Sequence, residues 1–180
     1  ALKNTAATFV NAVAEKAKGA DGVLGTKDDI SHRIAVVGFA SQSDYGDNTE
    51  LLSIAGSNSG NVGVAYNDIT AQNLKDVLQN VDTSAGQAMV SNAIGALAAN
   101  GATQTNLGLD MAQRILSANP VQPNETRYRV VIVFTDGAPT SFDGFEKAAA
   151  NDAITHAGAI KTAGATVYTI GIFPGANAAS

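Results

Sequence analysis

The stretch from Val130 to Thr135 constrains this chain more than any other. Val130, Val131, Ile132 and Val133 are all β-branched, Phe134 and Thr135 follow, and the run stops abruptly at Asp136-Gly137. β-branched residues pack well on a pleated surface, and a run without polar alternation needs cover on both faces, as in parallel sheets whose crossover helices lie above and below. The pattern predicts a central strand within Tyr128 to Thr135, with a loop at its carboxyl end. Ile34 to Ala40 and Ala165 to Phe173 have the same apolar character and are expected to be its parallel companions.

Between these runs the apolar period changes to that of a helix. Leu2, Phe9, Val10, Val13 and Ala17 form one stripe over Ala1 to Lys18. Thr70 is a cap for a helix carrying Leu74, Val77, Leu78 and Val81, and Val90, Ala93, Ile94 and Leu97 mark another. A further helix carries Leu107, Met111 and Ile115 and ends before Pro120 and Pro123; the last runs from about Phe145 to Ala163, where Gly164 closes it. Leu51 to Ala55 and Val62 to Tyr66 flank the turn-forming Gly56, Ser57, Asn58, Ser59 and Gly60, which predicts an antiparallel edge hairpin. Strands alternating with helices give an α/β class: a three-layer, doubly wound, mostly parallel sheet of Rossmann-like topology with helices on both faces. A length of 180 residues without linker or repeat is read as a single domain, 1–180, and its opening inside a helix as the mark of a piece of a larger protein.

Composition removes several function classes. The net charge is -5, the pI is about 4.8, and the eleven Lys and Arg are scattered along the chain, so no basic stripe exists to neutralise a phosphate backbone and nucleic acid is not an expected partner. Without cysteine there are no disulfides and no thiolate chemistry. No apolar run approaches the ~20 residues of a membrane helix, so no membrane insertion by this segment is expected. His32 and His156 stand apart from any nucleophile motif, there is no Gly-x-Ser-x-Gly elbow, and Gly22 to Lys27 lacks the ending of a phosphate loop. No catalytic residue is assigned and no enzyme activity expected. Asn124-Glu125-Thr126 is a glycosylation sequon to which no role is given.

Ligands of parallel sheets bind outside the carboxyl ends of the strands, which directs attention to Asp136 and to Thr103 in the run Gly101-Ala102-Thr103-Gln104-Thr105-Asn106. Singly, an Asp-Gly turn and a threonine before a helix are ordinary structural devices. Together, in this order and between these strands, they resemble the last two ligand motifs of the von Willebrand factor type A family, closest to its members in bacterial surface and pilus-associated proteins. The resemblance covers nearly the whole chain. It implies an extracellular, bacterial cell-surface location and a metal-ion-dependent adhesion site in which Thr103 and Asp136 bind a divalent cation, directly or through water. Mg²⁺, or Mn²⁺ or Ca²⁺ in its place, suits hydroxyl and carboxylate oxygen and leaves a position for the acidic side chain of a protein ligand.

The family's first strand, ending in Asp-x-Ser-x-Ser, has no counterpart in these 180 residues; Asp82-Thr83-Ser84-Ala85-Gly86 ends in glycine and follows a helical pattern. The family's last strand and helix also lack counterparts. Two of five ligands are therefore present, and a cation is expected only if the missing segment is supplied by upstream residues or by a second chain inserting a complementing strand. The alternative function is a structural or assembly module of a surface fibre or complex, working without metal. A secondary candidate is the acidic loop Asp21 to Asp29, where Asp21, Asp28 and Asp29 resemble a short calcium loop; a solvated acidic turn is the competing reading.

Overall fold

The structure is a computed structural model that describes residues 2–40, 50–57, 60–97, 102–135, 137–141 and 144–171. In chain order the elements are α1 (Leu2–Ala17), β1 (Arg33–Ile34), β2 (Val36–Gly38), β3 (Glu50–Ser57), β4 (Gly60–Ala65), α2 (Ala71–Asp76), β5 (Gln79–Asn80), α3 (Ser84–Ala96), α4 (Thr105–Ala118), β6 (Val130–Thr135), β7 (Thr140–Ser141), β8 (Gly144–Phe145), α5 (Lys147–Thr162) and β9 (Thr166–Gly171). A 3₁₀ turn, Tyr66–Asp68, joins β4 to α2. The chain is α/β, as its alternating periods require.

Pairing departs from the expected sheet. β6 and β9 are parallel and in register from Val130↔Thr166 to Thr135↔Gly171. The expected strand at 34–40 instead divides into β1, antiparallel to β5, and β2, antiparallel to β3, which continues into the hairpin with β4. Among the described residues β2 is the terminal strand of one sheet and β6 the terminal strand of another, and no ladder joins them.

Helices nevertheless bridge the two sheets on both sides. Ile34 and Val36 pack on a cluster built from Ala6, Val10 and Ala14 of α1 with Val90 and Ile94 of α3, whereas Ala35 and Val37 pack on Met111 and Ile115 of α4 with Val77. The strand therefore buries alternate side chains in two separate cores, which is why it reads as a continuous apolar run. The same helices reach β6. Leu109 of α4 shares a cluster with Val133 and Phe39, and Phe9 of α1 meets Phe134 edge to face at 6.5 Å.

Two helices depart from their expected stripes for packing reasons. In α1 the buried line is Ala6, Val10, Ala14 and Ala17, while Phe9 remains 39% exposed, because the short alanine side chains allow α3 to approach closely. The helix after Thr70 closes at Asp76, although the apolar pattern runs on to Val81. Residues four apart would share one helical face, yet Val77 is buried with Met111 and Val81 with Val10 and Val90. Leaving the helix at Val77 and passing through β5 sends the two valines to different cores. Thr70 does cap α2 in a reciprocal box with Asn73.

A polar array crosses the outer side of α4. The Tyr66 hydroxyl donates to Asp110 Oδ2 at 2.5 Å, the Arg114 guanidinium lies 5.3 Å from the Tyr66 ring centre, and the His156 Nδ1 hydrogen bonds to Gln113 Oε1 at 2.8 Å. Partial burial and the Asp110 carboxylate raise the Tyr66 phenol above its ordinary value. A group with a raised folded-state value contributes its stability below its unfolded value and loses it as pH rises through the folded one. Tyr66→Phe is expected to cost ~1–2 kcal/mol, since the bond lost is to a charged acceptor. Chemical denaturation at neutral pH and above pH 10 checks this: the gap between wild type and variant narrows at alkaline pH.

Candidate functional site

β6 ends at Thr135, and the turn after it is closed locally. The Thr135 hydroxyl donates to the Gly137 carbonyl at 2.9 Å, and the Gly137 amide reaches the same hydroxyl at 3.3 Å. Asp136 itself lies outside the described residues, but both its neighbours are fixed by this turn. Beyond it, the small β7–β8 hairpin leads into α5.

The Thr103 loop is clasped onto that turn. The Thr103 amide donates to Thr140 Oγ1 at 3.0 Å, and the Thr140 amide donates to the Thr103 carbonyl at 3.0 Å. A side-chain carbon on Gly137 would sit 3.8 Å from Thr103 Oγ1, so the two loops meet where residue 137 has no side chain. Two segments more than thirty residues apart thus share one corner at the carboxyl end of β6, the position expected of a ligand crevice.

Thr103 does not cap α4. Gln104 holds the N-cap position and makes no side-chain capping bond, and among the described residues the Thr103 hydroxyl has no hydrogen-bond partner. One turn further on, Asn106 Oδ1 is buried without a partner among the described residues. A buried acceptor without a partner is costly, and native proteins place few of them. The corner therefore offers a hydroxyl without a partner among the described residues, close to Gly137, and the first turn of α4 carries an orphaned amide oxygen. Hard divalent cations take such oxygen donors.

The family model for the von Willebrand factor type A domain matches residues 71–180, more than half of the chain. The chain belongs to the von Willebrand factor type A family. The match includes the Thr103 loop, β6, the Asp136 turn, α5 and β9, which are the elements that build this corner. No curated protein and no solved structure matches the chain. Type A domains serve as adhesion and protein-interaction modules, and many of them hold a divalent cation.

In Asp82-Thr83-Ser84-Ala85-Gly86, Thr83 is the N-cap of α3 and accepts the Gly86 amide at 3.1 Å, a structural role. In the Asp21–Asp29 loop the carboxylates are turned onto their own backbone. Asp28 Oδ2 accepts from the Ala20 and Asp21 amides at 2.6 and 3.2 Å, Asp29 Oδ2 accepts from Gly25 and Thr26 at 2.6 and 3.2 Å, and Asp21 Oδ1 accepts from Val23 at 2.8 Å. The Thr26 hydroxyl, which donates to Asp28, and the Ala20 and Asp21 amides lower the Asp28 carboxyl below its usual value. Each carboxylate thus has an internal role as a turn clasp. Among the described residues no group of three or more His, Cys, Asp and Glu is arranged to hold a metal ion. His32 Nδ1 bonds to the Ile30 carbonyl at 3.0 Å, and His156 belongs to the Tyr66–Asp110 array. That array was not legible in the sequence, because its members are brought together from positions 66, 110, 113 and 156.

Proposed function

We propose that this domain is a binding module, not an enzyme, of a bacterial cell-surface protein, working outside the cell and capturing an acidic side chain of a protein partner through a divalent cation. The observation that carries the reading is the clasp between the Thr103 loop and the Gly137–Thr140 turn. It gathers a free hydroxyl and the flanks of Asp136 at one corner. In this reading the Thr103 hydroxyl and the Asp136 carboxylate hold Mg²⁺, or Mn²⁺ or Ca²⁺, and Gly137 leaves room for the partner's carboxylate to approach. The cation supplies an open coordination position of matching charge.

The same reading accounts for the divided sheet. β2 and β6 are terminal strands, with α4 packed against both from one side and α1 from the other. A strand entering between them would complete a doubly wound, three-layer sheet and bring further oxygen ligands to the Thr103 corner. That strand comes from residues preceding Ala1 in the intact protein or from a second chain.

Asp136→Ala in the intact protein tests the cation. Capture of the partner should be abolished by chelator in the wild type and restored by Mg²⁺, and the variant should lose cation affinity ~100-fold or more, because a direct ligand contributes at least as much as the outer-shell partners that cost 10- to 100-fold. Circular dichroism of the variant should be unchanged. Equal capture by both proteins in Mg²⁺ and in chelator would establish the metal-free assembly module in its place.

A further inference from the structure

A second site lies at the opposite end of α4. A cleft of about 420 Å³ opens there among Arg33, Lys75, Asn119, Gln122, Glu125 and Arg127. α4 has 14 residues, so at ~1.5 Å per residue its two ends are ~20 Å apart, with Thr103 before the first and the cleft beyond the last. The cleft is well separated from the cation corner.

Its charge opposes that of the chain. The protein has eleven Lys and Arg against sixteen Asp and Glu, yet three cations line this cleft with one carboxylate. That carboxylate is already engaged: Glu125 pairs with Arg127 through Oε1 and accepts the Gln122 amide on Oε2 at 3.4 Å. Among the described residues the side chains of Arg33 and Lys75 make neither a hydrogen bond nor an ion pair. Like charges held near one another without a counter-charge repel, and a bound anion would relieve that cost.

The walls are built rather than incidental. Asn119 Nδ2 donates to the Leu74 carbonyl at 2.8 Å and to the Ile115 carbonyl at 2.9 Å, which ties α2, and with it Lys75, to the end of α4. The carbonyls at the end of α4 would repel an anion, but Asn119 and Arg129 occupy those of Ile115 and Leu116. Arg33 is held by the β1–β5 ladder opposite Asn80. Guanidinium forks match planar carboxylate and tetrahedral phosphate oxygens, and the volume is within the range of small-molecule sites.

We infer that this cleft binds a small polyanion, one carrying two or more carboxylate or phosphate groups, independently of the cation corner. Calorimetric titration of the intact protein with pyrophosphate and, separately, with citrate in metal-free buffer tests it. The expected result is one-site binding of at least one probe, weakened by added salt, and the preferred probe identifies phosphate or carboxylate as the recognised group. Arg33→Gln with Lys75→Gln should weaken binding at least ~10-fold, as the loss of charge-assisted bonds implies. Lys75→Gln alone, at an exposed position, should weaken it severalfold and provides the test should the double variant misfold. Asp136→Ala and Lys161→Gln should bind as wild type does. Absence of binding by both probes, or an equal loss in Lys161→Gln, would overturn the inference, the latter by reducing the effect to net charge.

Discussion

A strand-forming segment of six Val and Ile residues, joined ahead of Ala1 by a short loop, should raise the thermal midpoint of the chain by ~6–24 °C. The gain comes from the faces the segment would cover. Six apolar side chains buried between α1 and α4 contribute ~2 kcal/mol each, and ordering the segment costs ~1.5 kcal/mol per residue. Ladder bonds to β6 and to the sheet of β2 add a few tenths of a kcal/mol or more apiece, leaving ~3–6 kcal/mol, and a domain of this size gains ~2–4 °C per kcal/mol. The present partial exposure of the strands supports the argument: Val130 is 49% exposed, unusual for a residue in so apolar a run. A segment with lysine at alternate positions should give no increase, because one of its faces would carry charge into a helical layer. Calorimetry reads the midpoint and sedimentation the association state. The chain without the segment should self-associate with concentration, as terminal strands do when they find one another. A sharp two-state transition of a monomer, unmoved by the apolar segment, would remove the proposal of an inserted strand.

Gly86→Ala should destabilise the fold by ~2–3 kcal/mol, against the usual direction for a helical glycine. Replacing glycine by alanine inside a helix ordinarily gains up to ~1 kcal/mol from backbone entropy and propensity. Here the added methyl would overlap the Asn80 carbonyl oxygen, because the first turn of α3 lies directly against β5. The backbone cannot move freely: Thr83 caps α3 through the Gly86 amide at 3.1 Å and also donates to the Asn80 carbonyl at 3.0 Å, so both sides of the clash are tied to one residue. Overpacking of a fixed backbone costs ~1–3 kcal/mol or more and outweighs the propensity gain. Urea denaturation of the two proteins measures the difference; equal or higher stability of the variant would show that α3 can withdraw from β5 without loss.

Local features of the fold were legible from residue order alone. β-branching marked β6, apolar character β9, the 3.6-residue period α1, α3 and α4, and the Gly164 stop the end of α5, because these depend on interactions within a few residues. The Gly56–Gly60 stretch marked the hairpin, whose strands run further into it, to Ser57 and from Gly60. The Thr103 and Asp136 motifs were likewise visible in sequence order, and the clasp to Thr140 brings their loops to one corner. What could not be read was pairing. A strand apolar on both faces has no preferred side, so nothing in Ile34 to Ala40 distinguishes a parallel companion of β6 from the antiparallel partner of β3.

The sequence by itself determined the α/β class, the existence of the long helices and of β6 and β9, and the order of the Thr103 and Asp136 motifs around β6, since period, turn chemistry and motif spacing are local properties. Tertiary structure alone decided the rest. It sent Val77 and Val81 to different cores, divided the sheet between β2 and β6, joined Tyr66 to Asp110 and His156, and drew Arg33, Lys75 and Arg127 into one cleft. Each of these joins residues far apart in the chain, and their encounter depends on which faces the helices bury, a choice made by packing volume and not by any local pattern.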